Sequence, residues 1–301
     1  MGILASNEWY EVLNVIRKEK GTVILLGATD AGKTTLAKFL IAQLSSRKIK
    51  VAFVDADIGQ SYIGPPTTIG LVLFESTPDL ENIQPQEIFF IGSTTPEENL
   101  PLHLKGVRRM VDKALTYAPG VVLVDTTGLV SGEVGIELKI RKINLLAPCS
   151  ILVLQRFQEL EDILALIKGN PLLKIHRLPV SEEAQTRSKE ARRLLRTKKY
   201  QEYFKGSQIK DLMIQGIQLE GIVHDPNGQP ILPDKALRVK GLLSGFKTIN
   251  EDTLALGVMR DFLEEQRTLR VSTPLNDVGK VKSIQLCSIR LSPSYEEETG
   301  A

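Results

Sequence analysis

The sequence predicts a three-layer α/β sandwich on a mostly parallel sheet, followed by a small β-rich domain. Three observations predict it: short apolar runs alternating with helical stretches, a glycine-rich turn between the first strand and its helix, and a late change to short strands. The apolar runs fall at 22–26, 50–54, 88–91, 121–124, 151–154 and 172–178, too short and too β-branched for helices. Between them, apolar side chains recur at helical spacing over 36–44, 107–117, 135–146 and 160–167, and a further short helix over 8–16 precedes the first strand. A strongly charged helical stretch covers about 181–204, after which turn signals such as Asp225-Pro226-Asn227-Gly228 punctuate short strands. This places one domain at 1–205, the charged helix included, and a second at 206–301, with a frayed tail over 296–301.

Composition narrows the class without naming a function. Charged residues at 25% and hydrophobic residues at 42% are those of a globular chain, which excludes disordered and fibrous classes. No apolar run is long enough to span a bilayer and the N-terminus lacks a signal pattern, so a cytoplasmic location with no membrane partner is expected. A net charge of +2 is too small to attract a polyanion overall, so such attraction must come from local clusters. Cys149 and Cys287 are too isolated for a disulfide framework or zinc knuckle and are expected as buried thiols, and His103, His176 and His224 lack ligand spacing.

The strongest signal is Gly27-Ala28-Thr29-Asp30-Ala31-Gly32-Lys33-Thr34-Thr35, which fits the Walker A pattern directly after a strand and before a helix. Glycines let successive backbone N–H groups converge on phosphate oxygens at the helix N-terminus. Lys33 adds a point charge for the β and γ phosphates, and the Thr34 hydroxyl suits magnesium. The next strand ends on Asp55-Ala56-Asp57, two carboxylates on one side of the sheet at the edge where open α/β sheets bind ligands. Asp57 is the expected base and a metal ligand, while capping or a loop hydrogen bond is the alternative for either Asp. Val124-Asp125-Thr126-Thr127-Gly128 repeats the theme and fits either a Walker B element or a substrate-facing turn.

Between 187 and 199 seven basic residues, Arg187, Lys189, Arg192, Arg193, Arg196, Lys198 and Lys199, face only Glu190. Arg192 and Arg196 stand one helical turn apart on a face that suits phosphates, the alternative being a solvated basic surface. Tyr62 and Phe74, flanking Pro65-Pro66, fit either base stacking or packing.

Together with Asp57-Ile58-Gly59-Gln60 and Gly64-Pro65-Pro66-Thr67-Thr68-Ile69-Gly70, these motifs resemble the P-loop polynucleotide 5′-hydroxyl kinases. That family includes the kinase-like subunit of the messenger-RNA 3′-end cleavage complex and the pre-ribosomal RNA kinase. Ile91-Gly92-Ser93-Thr94-Thr95-Pro96, Thr126-Thr127-Gly128-Leu129-Val130-Ser131-Gly132 and the basic stretch are similar to its later motifs and arginine-bearing lid, and Gly241-Leu242-Leu243-Ser244-Gly245 to its small β domain. The resemblance implies magnesium-dependent transfer of a γ-phosphoryl group from ATP or GTP to the 5′-hydroxyl of RNA or DNA. It implies Asp57 as base, Lys33 and Thr34 as phosphate and metal ligands, and Arg192 and Arg196 on the transferring group. Gln60, Thr94, Thr95, Thr127 and Arg187 are the implied substrate contacts. Leu129 stands where the family commonly has Trp, which removes a ring for stacking on the substrate's end, and the short N-terminus looks like a minimal prokaryotic form. Two other readings predict different chemistry: a P-loop ATPase or GTPase acting as an assembly factor hydrolyses triphosphate without a nucleic-acid acceptor, and a non-catalytic RNA-processing subunit holds ATP unhydrolysed.

Overall fold

In the computed structural model, which describes residues 5–298 apart from 77, 82, 182, 183, 185 and 226, the first apolar run is the buried strand β1 (Gly21–Gly27). It lies between α1 (Asn7–Glu19) and α2 (Lys33–Ser45). Trp9, Val12, Leu13 and Ile16 form the buried stripe of α1, and the Trp9 ring sits 5.4 Å from that of Phe39 on α2. The chain continues through β2 (Val51–Ala56), β3 (Thr68–Phe74), β4 (Glu87–Phe90), α3 (Leu100–Thr116), β5 (Val121–Thr126), α4 (Gly132–Leu146), β6 (Ser150–Gln155), α5 (Glu161–Ile167) and β7 (Lys174–Pro179).

Contacts divide the chain into two units, the first made of 1–63, 69–87 and 95–188 and the second of 64–68, 88–94 and 189–301. In the first, β7, β6, β1, β5 and β2 pair in parallel in that order, and β3 runs antiparallel to β2. Strands covered on both faces by helices are apolar along most of their length, and every residue of β2 and β5 is buried, including the aspartate near the end of each. The sequence reading did not assign β3 as a strand: Pro65, Pro66 and Gly70 signal turns locally, and pairing with β2 supplies the order that local propensity lacks. Tyr62 and Phe74 pack rather than project: Phe74 is buried in the core, and Tyr62 stands edge-on to Phe53 with Lys38 Nζ 4.0 Å above its ring.

The longest segment of the second unit begins with α6 (Lys189–Tyr203), ahead of the position near 206 read from the sequence. The charge of this helix obscures its apolar edge. Tyr200 and Phe204 are buried among Phe90, Leu243, Leu256, Val258 and Leu291, and Phe204 stacks on Tyr295 at 4.7 Å. Residues 88–90 of β4 also go to this unit, where Ile88 pairs with Thr253 and the Phe90 N–H donates to Thr253 Oγ1 at 3.0 Å. The remaining elements are β8 (Gln208–Met213), β9 (Gln218–Glu220), a hairpin of β10 (Val223–His224) and β11 (Pro230–Ile231), α7 (Pro233–Ala236), β12 (Leu242–Lys247), β13 (Thr253–Leu263), β14 (Thr268–Thr273) and β15 (Ser283–Arg290). β4, β13, β12, β15 and β9 follow one another across the sheet, with β14 and then β8 branching from β13.

The hairpin turn is closed by the Gly228 N–H donating to Asp225 O at 2.9 Å, while Pro226 of that signal lies outside the described residues, as do 182, 183 and 185 of the basic stretch and 299–301 of the tail. Residues 296–298 do not fray: the Ser292 N–H donates to Glu296 O and the Glu298 N–H to Arg290 O, both at 2.9 Å. Cys149 is half-buried and Cys287 buried, and neither forms a disulfide among the described residues. Among the described residues no helix is long and apolar enough to cross a membrane.

If aromatic burial fastens α6, Phe204→Ala lowers stability by about 3–5 kcal/mol, the usual cost of deleting a buried ring. A helix that merely covers the surface loses under about 0.5 kcal/mol. Urea denaturation followed by circular dichroism separates the two.

Candidate active site

The loop from β1 to α2 is built as the glycine-rich pattern demands. Gly32 caps α2 at φ 91°, a left-handed conformation open to glycine, and leaves the first N–H groups of the helix without intrahelical partners. Asp30 is also left-handed, at φ 58°, and is tied down from outside the loop. Its Oδ2 accepts from the Arg187 N–H at 3.0 Å, and its carbonyl from Arg156 Nη2 at 3.3 Å. Lys33, only 5% exposed, donates through Nζ to Gly27 O at 3.0 Å and Ala28 O at 2.8 Å, which keeps its ammonium over the loop. A cavity of about 410 Å³ follows the loop from Thr29 to Thr35 and is bounded by Asp57, Gln60, Ala184 and Arg187. Convergent N–H groups and a buried ammonium along such a cavity hold a polyphosphate.

Three carboxylates stand at the ends of β2 and β5, each with its own partners. Asp55 and Asp125 are register partners on the adjacent parallel strands β2 and β5, and both are 1% exposed. Asp55 folds its own loop: Oδ1 accepts from the Asp57 N–H at 3.1 Å, and Oδ2 from the N–H groups of Tyr62 at 2.6 Å and Ile63 at 3.0 Å and from Ser61 Oγ at 3.2 Å. Burial, and then the Asp125 carboxylate, push its pKa upward against the pull of the backbone donors. Asp125 instead faces the phosphate loop, where Thr34 Oγ1 donates to its Oδ2 at 2.6 Å. Burial pushes Asp125 upward too, while Lys33 and the Thr34 hydroxyl oppose the shift. Asp57 reaches the cavity wall, its Oδ1 accepting from the N–H groups of Gly59 at 3.2 Å and Gln60 at 3.1 Å.

Of the two readings left open for the Val124–Gly128 segment, the Thr34 contact favours the Walker B one. Among the described residues no three His, Cys, Asp or Glu side chains cluster as a metal centre on their own. The oxygen donors Thr34, Asp125 and Asp57 nonetheless fit magnesium, which takes one or two carboxylates and leaves its other positions to water and phosphate.

The expected substrate contacts separate. Gln60 and Arg187 meet at the cavity, with Arg187 Nη1 donating to Gln60 Oε1 at 3.3 Å. Thr127 is buried and turned inward, its Oγ1 3.4 Å from Lys139 Nζ. Thr95 belongs to the first unit and donates to Glu97 Oε2 at 3.1 Å, whereas Thr94 belongs to the second. Arg192 and Arg196 lie on α6 in the second unit. Arg196 already holds a carboxylate, since its Nε and Nη2 donate to Glu297 Oε1 and Oε2 at 2.6 and 2.7 Å.

Two side chains that the sequence reading passed over stand behind the acidic strand ends. Lys139 and Lys142 of α4 are each 1% exposed. A pattern was available, because positions 139 and 142 continue the apolar face of Gly135, Leu138, Ile143 and Leu146, and a lysine on such a face is buried by its neighbours.

The turn after β5 abuts the phosphate loop so closely that a Cβ on Gly128 would lie 2.2 Å from Thr29 Oγ1 and 2.4 Å from its backbone N and Cα. Gly128→Ala therefore displaces Thr29 and weakens nucleotide binding about tenfold or more, read by titration calorimetry, while the thermal midpoint stays within a few degrees of wild type.

Comparison with known proteins agrees with this geometry. The family described as mRNA cleavage and polyadenylation factor CLP1 P-loop matches residues 27–206. A polyribonucleotide 5′-hydroxyl-kinase of Methanocaldococcus jannaschii is 32% identical over 96% of this chain and 92% of its own, and one of Pyrococcus abyssi is 31% identical over 95% and 92%. The fold is that of Clp1p in its wild-type complex with Pcf11p, with a TM-score of 0.74 at 18% identity over 96% of this chain and 80% of that one. A match from the phosphate loop through α6, joined to near full-length relatedness at about a third identity, leaves one assignment: the chain belongs to the CLP1 P-loop family.

Proposed function

We propose that this protein is a polynucleotide 5′-hydroxyl kinase, transferring the γ-phosphoryl group of ATP or GTP to the 5′-hydroxyl end of RNA or DNA. The observation that carries the reading is the division of labour between strand ends: Asp125 is engaged with Thr34, which leaves Asp57 on the cavity wall for the acceptor. The relatives named polyribonucleotide 5′-hydroxyl-kinase support the same acceptor chemistry and favour RNA.

The backbone N–H groups of Thr29 to Thr35 and the Lys33 ammonium bind and orient the triphosphate. Thr34, Asp125 and Asp57 are the residues that would hold magnesium, which when bound supplies positive charge to the β and γ phosphate oxygens. Asp57 accepts the proton of the attacking 5′-hydroxyl, and its carboxylate is kept in place by the N–H groups of Gly59 and Gln60. Gln60 and Arg187 orient the acceptor at the cavity rim. Arg192 offers a guanidinium to the transferring group, and Arg196 joins it on exchanging Glu297 for phosphate oxygens.

Labelled γ-phosphate should pass from ATP to a 5′-hydroxyl oligoribonucleotide. Asp57→Ala should slow transfer about 100-fold or more, the usual share of a general base. Nucleotide bound by wild type without transfer to RNA or DNA overturns the kinase reading: hydrolysis then indicates an assembly NTPase, and intact bound nucleotide a structural ligand.

A further inference from the structure

Beside the phosphate loop one large apolar side chain is held in the open. Phe157, in the turn between β6 and α5, is 84% exposed. A single exposed apolar residue is ordinary, so its place and its rigidity decide what it means. The sheet sets its place: β6 flanks β1 on the side away from β5 and β2, and Leu154 is the register partner of Gly27, where the loop begins. Arg156 joins the turn to the cavity wall. Its Nη2 donates to Asp30 O at 3.3 Å and to Ala184 O, and both Asp30 and Ala184 line the cavity. The rigidity comes from Glu159, whose Oε1 accepts from the Arg156 N–H and Oε2 from the Phe157 N–H, both at 2.9 Å. Gln155 Nε2 donates to Glu161 Oε1 at 2.7 Å across the ends of the turn, and Leu160 of the same segment is fully buried. One fixed turn thus buries a leucine and presents a phenylalanine.

We infer that Phe157 is the stacking platform for the nucleobase of the phosphoryl donor, on the β6 flank of the phosphate loop. This rests on the kinase reading for the direction of the triphosphate, and it deepens that reading. On that reading Thr34, Asp125 and Asp57 put metal and acceptor at the ends of β5 and β2, so the γ phosphate lies on that side. A triphosphate that follows the loop from there carries its nucleoside out on the other side of β1, where the 156–159 turn stands. The cavity itself suits phosphates: Lys33, Arg187, threonines and loop backbone line it, and among the described residues no aromatic side chain does. The base therefore needs its surface outside that cavity. A ring on a fixed turn loses little freedom when it is covered, and every base offers it a π face. Stacking alone does not choose between adenine and guanine.

Wild type, Phe157→Ala and Phe157→Trp should be titrated by calorimetry, on the whole chain, with Mg·ATP, Mg·GTP and magnesium tripolyphosphate. Because the side chain is exposed, the thermal midpoints of the three should agree within a few degrees. Phe157→Ala should bind ATP and GTP about tenfold or more weakly and tripolyphosphate within about twofold of wild type. Phe157→Trp should return both nucleotides to within about threefold of wild type. A turn that merely supports the phosphate loop does not separate nucleotide from tripolyphosphate, so equal losses for the two overturn the inference. Unchanged ATP affinity in Phe157→Ala also overturns it, leaving the ring to solvent or to another protein. So does a loss confined to one purine, which means that the base edge is read instead, and so does a Phe157→Trp that binds no better than Phe157→Ala. If wild type binds Mg·ATP but transfers no phosphate to RNA or DNA, the kinase reading fails while the comparison of ATP with tripolyphosphate still decides the role of Phe157.

Discussion

Parallel strands β2 and β5 end side by side with Asp55 opposite Asp125, and much of the site follows from having to satisfy two adjacent carboxylates that are both 1% exposed. Left bare, either would cost several kcal/mol or take up a proton. The chain resolves the conflict by giving them different partners. The 57–63 loop wraps its N–H groups around Asp55, while α2 offers Thr34 to Asp125. One carboxylate thereby shapes the loop that presents Asp57, and the other ties the phosphate loop to the sheet. Both outcomes serve the same end of the sheet, where an open α/β fold places its ligand.

The same constraint accounts for the close turn after β5. Because Asp125 must meet Thr34, the following residues pass directly against Thr29, and only a glycine fits at 128. Lys139 then holds this turn through Thr126 and Thr127, which also directs the Thr127 hydroxyl inward. The turn is fixed by its surroundings on three sides, the condition under which a phosphate cradle stays preorganised.

Much of this was legible in the sequence because it depended on local chemistry. A strand, a glycine pattern and a helix define the phosphate loop wherever they occur together, and the alternating apolar runs located nearly every buried strand of the parallel sheet. What stayed hidden depended on partners distant in the chain. Asp125 gains its role from a residue 91 positions away. The strand over Thr68–Phe74 is ordered by β2 despite its turn-forming residues. The charge of the basic stretch outweighs the edge formed by Tyr200 and Phe204, whose burial by Leu243, Leu256 and Val258 no local pattern announces. Nor does any local pattern announce that Arg196 donates to Glu297, 101 residues on.

The division of the carboxylate pair into one that folds and one that binds is the central claim, and paired amide substitutions test it most directly. Both oxygens of Asp55 accept from N–H groups, so the NH2 of an asparagine must oppose a donor whichever way it turns. Asp55→Asn should lower the unfolding free energy by about 2 kcal/mol or more. Asp125→Asn can keep its amide oxygen on the Thr126 N–H and turn its NH2 to the Thr34 hydroxyl, which accepts as well as donates, so it should unfold within about 1 kcal/mol of wild type yet lose most of its magnesium-dependent nucleotide affinity. Measured side by side by urea denaturation and calorimetry, equal losses of stability in the two variants, or unchanged magnesium-dependent affinity in Asp125→Asn, would contradict the account.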